Sequence, residues 1–148
     1  MTITYLEILI ILRDNPNFER LVQFHRIFRG DDNFFVASSE WYEKEFFDFF
    51  KTILKNFNCW DYETSWDCDK YANMFQALGN ICHAQNEPKK SNAIAIAEIH
   101  YLPNMSITRH AINCVICDDK KLRFVEPQQL KFIELSDSEQ RSITFMKW

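Results

Sequence analysis

A cysteine, a histidine and a glutamate in the second half of this 148-residue chain offer the most distinct chemistry in the sequence. Cys68 stands in the run Trp66-Asp67-Cys68-Asp69-Lys70-Tyr71-Ala72, which reads as a helix start with Asp67 as its N-cap. The thiolate, not the thiol, is the nucleophile. Unpaired N–H groups and aligned peptide dipoles at a helix N-terminus favour that negative charge. His110 opens a strand-like segment, and Glu126 follows in Phe124-Val125-Glu126-Pro127-Gln128. Nucleophile, base and base-orienting group are the parts of a thiol acyl-transfer site.

The elements that must position these residues are legible in outline. Residues 3–13 and 17–28 read as helices separated by Asp14-Asn15-Pro16-Asn17, and 34–37 as a short edge strand. Ser39 is the expected N-cap of a helix whose stripe of Tyr42, Phe46, Phe49, Phe50, Ile53 and Phe57 is read as core. The helix from Cys68 buries Tyr71, Ala72, Phe75, Leu78, Gly79 and Cys82, with Ala72 and Gly79 small enough for close approach to a sheet. Residues 84–92 form a surface loop, after which 93–99 is apolar enough for a central strand. Segments 107–117 and 122–125 flank Asp118-Asp119-Lys120-Lys121 as a hairpin, Ile133 and Leu135 extend the sheet, and 142–148 adds a last strand. Helices followed by an antiparallel sheet make the class α+β, in one domain with a helical extension (1–33) and a core (34–148).

Strand alternation constrains the chemistry further. His110, Ile112, Cys114 and Ile116 share one face, while Ala111, Asn113, Val115 and Cys117 share the other. Cys114 and Cys117 therefore cannot clasp one zinc ion on an unbroken strand, and no metal site is expected. His110 and Glu126 reach one face only if the hairpin loop is of the odd-residue kind, for example with Cys114 opposite Glu126. A four-residue loop over 118–121 would set Asn113 opposite Glu126 and separate the pair, leaving Gln128 as a substitute orienting group. Arg109 is expected on the face opposite His110, paired with an acid.

Composition narrows the partners. A net charge of −4 with interspersed signs provides no basic stripe for nucleic acid. The apolar run 3–12 contains Glu7, lacks a basic lead-in and is far short of the roughly twenty residues of a membrane span. Five cysteines without a secretory signal fit free thiols in a reducing, cytoplasmic setting.

The runs Asp67-Cys68-Asp69-Lys70-Tyr71-Ala72, His110-Ala111-Ile112-Asn113 and Phe124-Val125-Glu126-Pro127-Gln128 together resemble the papain-like and transglutaminase-like cysteine peptidases. The nearest likeness is to the protease-like C-terminal domain of fungal agglutinins and to related bacterial and phage proteins, over roughly residues 34–130. The resemblance implies a papain-like fold and a cysteine peptidase or related thiol hydrolase acting on a protein or peptide. It implies Cys68 as nucleophile, His110 as general base and acid, and Glu126 as the residue orienting the imidazole. No cofactor is implied, and Lys70 interrupts the acidic cluster that a divalent cation would need. The usual upstream glutamine is absent, so Asn58, Trp60, Trp66 and Gln128 remain as substrate or oxyanion candidates. The alternative is a non-catalytic binding or structural protein on the same fold, of phage or host-interaction kind. If the thiol reading holds, iodoacetamide alkylates Cys68 in the native protein much faster than Cys82 or Cys114. That rate should titrate below the ~8.5 of a free thiol.

Overall fold

The computed structural model describes residues 1–23, 26–60, 67–86, 92–104 and 106–148. The chain begins with strand β1 (Thr2–Thr4), helix α1 (Tyr5–Arg13), a 3-10 turn (Pro16–Phe18) and helix α2 (Glu19–Gln23). Strands β2 (Ile27–Phe28) and β3 (Asn33–Phe35) follow. Helix α3 (Ser39–Trp41), a π turn (Tyr42–Phe46) and helix α4 (Phe47–Asn56) then form one continuous helical stretch, and the long helix α5 spans Cys68–Asn86. The remainder is β4 (Ala93–Ile94), β5 (Ile96–Tyr101), β6 (His110–Ile116), β7 (Leu122–Glu126), β8 (Lys131–Ile133), helix α6 (Asp137–Arg141) and β9 (Phe145–Lys147). The α+β expectation holds.

Two sheets organise these strands. The larger runs β2-β9-β5-β6-β7-β8, antiparallel except for the β2–β9 pair, and the smaller runs β1-β3-β4. Several sequence expectations are corrected here. Thr4 caps α1 with a reciprocal Thr4–Glu7 capping box, so Ile3 and Thr4, expected at the start of the helix, belong to strand β1. Residues 27–28 leave the expected helix 17–28 to pair with β9. β3 is central in its sheet, not an edge, because β1 and β4 flank it. The N-cap before Trp41 is Ser38, whose Oγ accepts from Trp41 N at 3.1 Å, and not Ser39. Ala95 interrupts the expected strand 93–99, bonding Phe35 O through its N–H and Ile116 N through its carbonyl, so the chain passes from the small sheet to the large one. The strand expected over 107–117 begins only at His110, and Ile107 is almost wholly exposed. The last strand expected within 142–148 is present as β9, between β2 and β5. Most of the loop expected over 84–92 lies outside the described residues.

The large sheet separates two apolar layers, and alternation decides which side each residue joins. On one side Ile112, Cys114, Ile116 and Phe124 pack with Ile3 of β1 and with Ile8, Leu12, Phe18 and Leu21 from the first helical segments. On the other, Val115, Cys117 and Val125 meet the aromatic faces of the 39–56 helical stretch and α5. There the Phe75 ring stands edge-on to Phe46 and Phe50, with centroids 4.7 and 5.2 Å apart. The expected stripe is core through Tyr42, Phe46 and Phe50, but Phe57 is exposed and Phe47 and Leu54 are buried in its place. Gly79 allows α5 to lie close on the sheet, since a Cβ there would come within 2.4 Å of Ile96 Cδ1. Gly79→Val should therefore force repacking of a fully buried isoleucine. We expect a loss of about 1–3 kcal/mol, read as a lower denaturant midpoint at unchanged slope.

Candidate functional site

β6 and β7 are joined by Asp118–Lys120, with Cys117 N donating to Lys121 O at 3.1 Å and Lys120 N donating to Cys117 O at 2.8 Å. Lys120 takes a positive φ of 58°, which closes a three-residue turn. Arg123 clamps this turn with two hydrogen bonds to the Asp119 carboxylate, at 2.8 and 2.7 Å. The loop is thus of the odd kind, and the register pairs Cys114 with Phe124 and Asn113 with Val125. Continued by one residue, it sets Ile112, not Cys114, opposite Glu126. His110 and Glu126 become diagonal neighbours on one face.

Those two side chains meet. His110 Nε2 lies 2.7 Å from Glu126 Oε2, and both are largely shielded, with 25% and 8% side-chain exposure. Glu126 Oε1 accepts the backbone N–H of Gln128 at 3.2 Å, so both carboxylate oxygens are engaged. Tyr101, paired across the sheet with His110, sets its ring edge-on at 5.9 Å. Burial and the nearby charges of Glu139 and Glu126 push the Tyr101 hydroxyl up to about 12, so it stays a neutral wall. With Nε2 committed to Glu126, the other imidazole nitrogen, Nδ1, has no hydrogen-bond partner among the described residues.

Cys68 is the first residue of α5, as expected, and Asp67 supplies the carbonyl that accepts Tyr71 N. The helix is fastened to β6 by Asn113, whose Nδ2 donates to Ala72 O at 3.0 Å and to Ala97 O at 3.3 Å. Further along, Gln76 Nε2 donates to Ile96 O and Asn80 Oδ1 accepts Ile94 N, so helix and β6 run in the same sense. Four helical residues rise about 6 Å and two strand residues about 6.6 Å. Cys68 is therefore level with the first residues of β6, where His110 stands. Among the described residues no hydrogen bond joins the Cys68 sulfur to His110. The structure brings His110 and Glu126 together and sets Cys68 at the same end of the sheet.

Sequence reasoning passed over a second pair. His100 Nε2 lies 2.7 Å from Glu98 Oε1, on β5, and Glu98 is buried. The register pairs Glu98 with Asn113 and His100 with Ala111, so this dyad shares the face that α5 covers, whereas His110 and Glu126 point to the other. Its signal was available: two polar residues at i and i+2 in an apolar strand.

The charged residues around the thiol form one linked group. The Asp67 carboxyl is held down to about 2 by a hydrogen bond with Asp69 and by Lys70, whose Nζ is 2.8 Å from Asp67 Oδ1. The same shared bond raises Asp69. Lys70 thus partly offsets acids that would oppose a thiolate. Burial pushes Cys82 and Cys114 up and takes Cys117 up to about 11, so these three are inert beside the half-buried Cys68 and Cys59. Cys114 and Cys117 do face opposite layers.

Among the described residues no hydrogen bond joins Asn58, Trp60 or Gln128 to the Cys68 sulfur. Asn58 is an exposed turn residue with φ of 55°. Trp60 offers its carbonyl to Tyr71 Oη at 2.9 Å, and its ring lies beneath Lys51 and Lys55. Gln128 buries an Nε2 without a partner among the described residues, and Trp66 lies outside them. Arg109 bonds the Ser142 carbonyl at 3.2 Å instead of the acid expected of it.

No family model and no curated protein matches the sequence. Among solved structures, the fold is similar to that of a PSL1a–E64 complex, with a TM-score of 0.70 at 16% identity over 99% of this chain and 50% of that one. It is also similar to Polyporus squamosus lectin bound to the human-type influenza-binding epitope Neu5Aca2-6Galb1-4GlcNAc, with a TM-score of 0.67 at 15% identity over 99% and 49%. This chain thus spans about half the length of the structures it matches, and at such identity the likeness is one of fold.

Replacing Lys70 by Gln should slow Cys68 alkylation near neutral pH by less than about tenfold, because exposed charges a few ångströms apart interact by roughly 1 kcal/mol in water. Labelling rates at one pH measure the difference, and 1 M salt should largely abolish it.

Proposed function

We propose that this protein is a papain-like thiol hydrolase acting on an acyl group of a protein or peptide, with Cys68, His110 and Glu126 as its working residues. The observation that supports this most is the 2.7 Å contact between His110 Nε2 and Glu126, which leaves the Nδ1 of the imidazole for proton transfer, although both side chains stand on the sheet face that α5 does not cover. In this reading Glu126 fixes the tautomer, and His110 Nδ1 removes the proton from the Cys68 thiol. The thiolate adds to the carbonyl carbon. The tetrahedral oxyanion collapses as the C–N bond breaks, and the departing amine takes the proton from the imidazolium. Water, deprotonated by the same imidazole, then attacks the thioester and regenerates the thiol. The helix terminus favours the ion pair throughout.

A second reading is a binding protein without catalysis. It is favoured by the missing hydrogen bond between Cys68 and His110 and by the similarity in fold to a lectin. The two readings part on the pH–rate profile of Cys68 alkylation, which needs no known substrate. The enzyme reading predicts appreciable reaction well below pH 8. His110→Gln should return the profile to that of an ordinary thiol near ~8.5, with Glu126→Gln in between. His100→Gln should leave it unchanged. Equal, slow labelling of all five cysteines would sustain the binding reading, and a response only to His100→Gln would move the base to the second dyad.

A further inference from the structure

Beside the N-terminal end of β6 the surface opens into a cavity of about 440 Å³ into which four arginines converge: Arg20, Arg26, Arg109 and Arg141. Among the described residues no carboxylate lines it, in a chain whose net charge is −4. The acids on the flanking elements are engaged elsewhere. Glu19 accepts from Gln23, Asp137 from Asn17, and Glu139 from Ser136 and Asn104. Two of the guanidiniums are held from behind, Arg141 by Asn17 Oδ1 at 2.9 Å and Arg109 by the Ser142 carbonyl at 3.2 Å. Each uses one donor of five and keeps the rest of its fork. Arg20 has no hydrogen bond or ion pair among the described residues.

Like charges converging on one cavity destabilise each other, and an anion between them reverses that cost. A planar guanidinium fork matches carboxylate and phosphate oxygens in pairs. One carboxylate satisfies one fork, whereas a tetrahedral dianion presents three oxygens and suits several. Leu21, Leu102 and Ile143 form an apolar wall, and the volume exceeds what a bare ion needs. We propose that this cavity binds a phosphate monoester, its phosphoryl group held by Arg20, Arg109 and Arg141 and its organic part lying on the Leu21–Leu102–Ile143 wall. This inference does not depend on the thiol chemistry proposed above.

Phenyl phosphate is the probe, titrated calorimetrically into the intact chain near 0.15 M salt and followed in parallel by thermal shift. Binding at a Kd of ~1 mM or tighter is expected, weakened at least about tenfold in Arg20→Gln combined with Arg141→Gln. Arg20→Gln alone removes no internal hydrogen bond, so it tests the site even if the double variant folds poorly. A phosphotyrosyl tetrapeptide carries the same group: tighter binding than phenyl phosphate assigns the phosphoryl to a modified chain, and weaker binding to a free small molecule. Absence of binding, indifference to the arginine variants, or equal affinity for benzoate would overturn the proposal.

Discussion

A buried amide holds the long helix against the sheet, and the arrangement of everything functional follows from that seat. Asn113 spans the gap between β6, the Ala72 carbonyl on α5 and the Ala97 carbonyl on β5. It is fully buried, so losing either partner would strand a polar group in an aromatic layer, at a cost of about 1–3 kcal/mol. One turn upstream of that anchor stands the only half-buried cysteine that begins a helix. One turn and more downstream, Gly79 lets α5 come close enough for Ile96 to pack beneath it. The anchor fixes the height of the helix along the strand, and the glycine fixes its distance.

The second determinant is parity. A hairpin loop with an odd number of residues puts His110 and Glu126 on one face, and one residue more or fewer would part them. The positive φ of Lys120 is what makes the shorter loop possible, and the Arg123–Asp119 clamp locks it. Since lysine takes that conformation only at some cost, the turn is stabilised by its surroundings more than by its own residue. The same alternation puts the Glu98–His100 pair on the helix side. Two imidazole–carboxylate pairs therefore stand near one end of the sheet, facing opposite layers.

Local features were legible in the sequence because they are local. The helix start at Cys68, the small residues Ala72 and Gly79, the opposed faces of Cys114 and Cys117 and the hairpin between β6 and β7 all follow from periods of 3.6 and 2. Features set by distant pairing were not. Residues 27–28 alternate well enough for either a helix or a strand, and only β9, far along the chain, decides for strand. Nothing in 93–99 marks Ala95 as the point where one sheet ends and another begins. For the candidate site, residue types and the condition for the His110–Glu126 meeting could be stated in advance, but the loop parity that satisfies it depended on a lysine in a left-handed conformation. The arginine cavity was hidden because its members come from four separate stretches of chain.

The placement of β9 bears on how the molecule is assembled during synthesis. Residues 145–147 lie between β5 and β2, so until they emerge β5 has a bare hydrogen-bonding edge and β2 has nothing to pair with. A nascent chain would carry that open edge of apolar strand past the ribosome, the kind of surface that recruits chaperones or another copy of itself. Truncation just before Phe145 would therefore harm solubility more than the loss of three strand residues suggests.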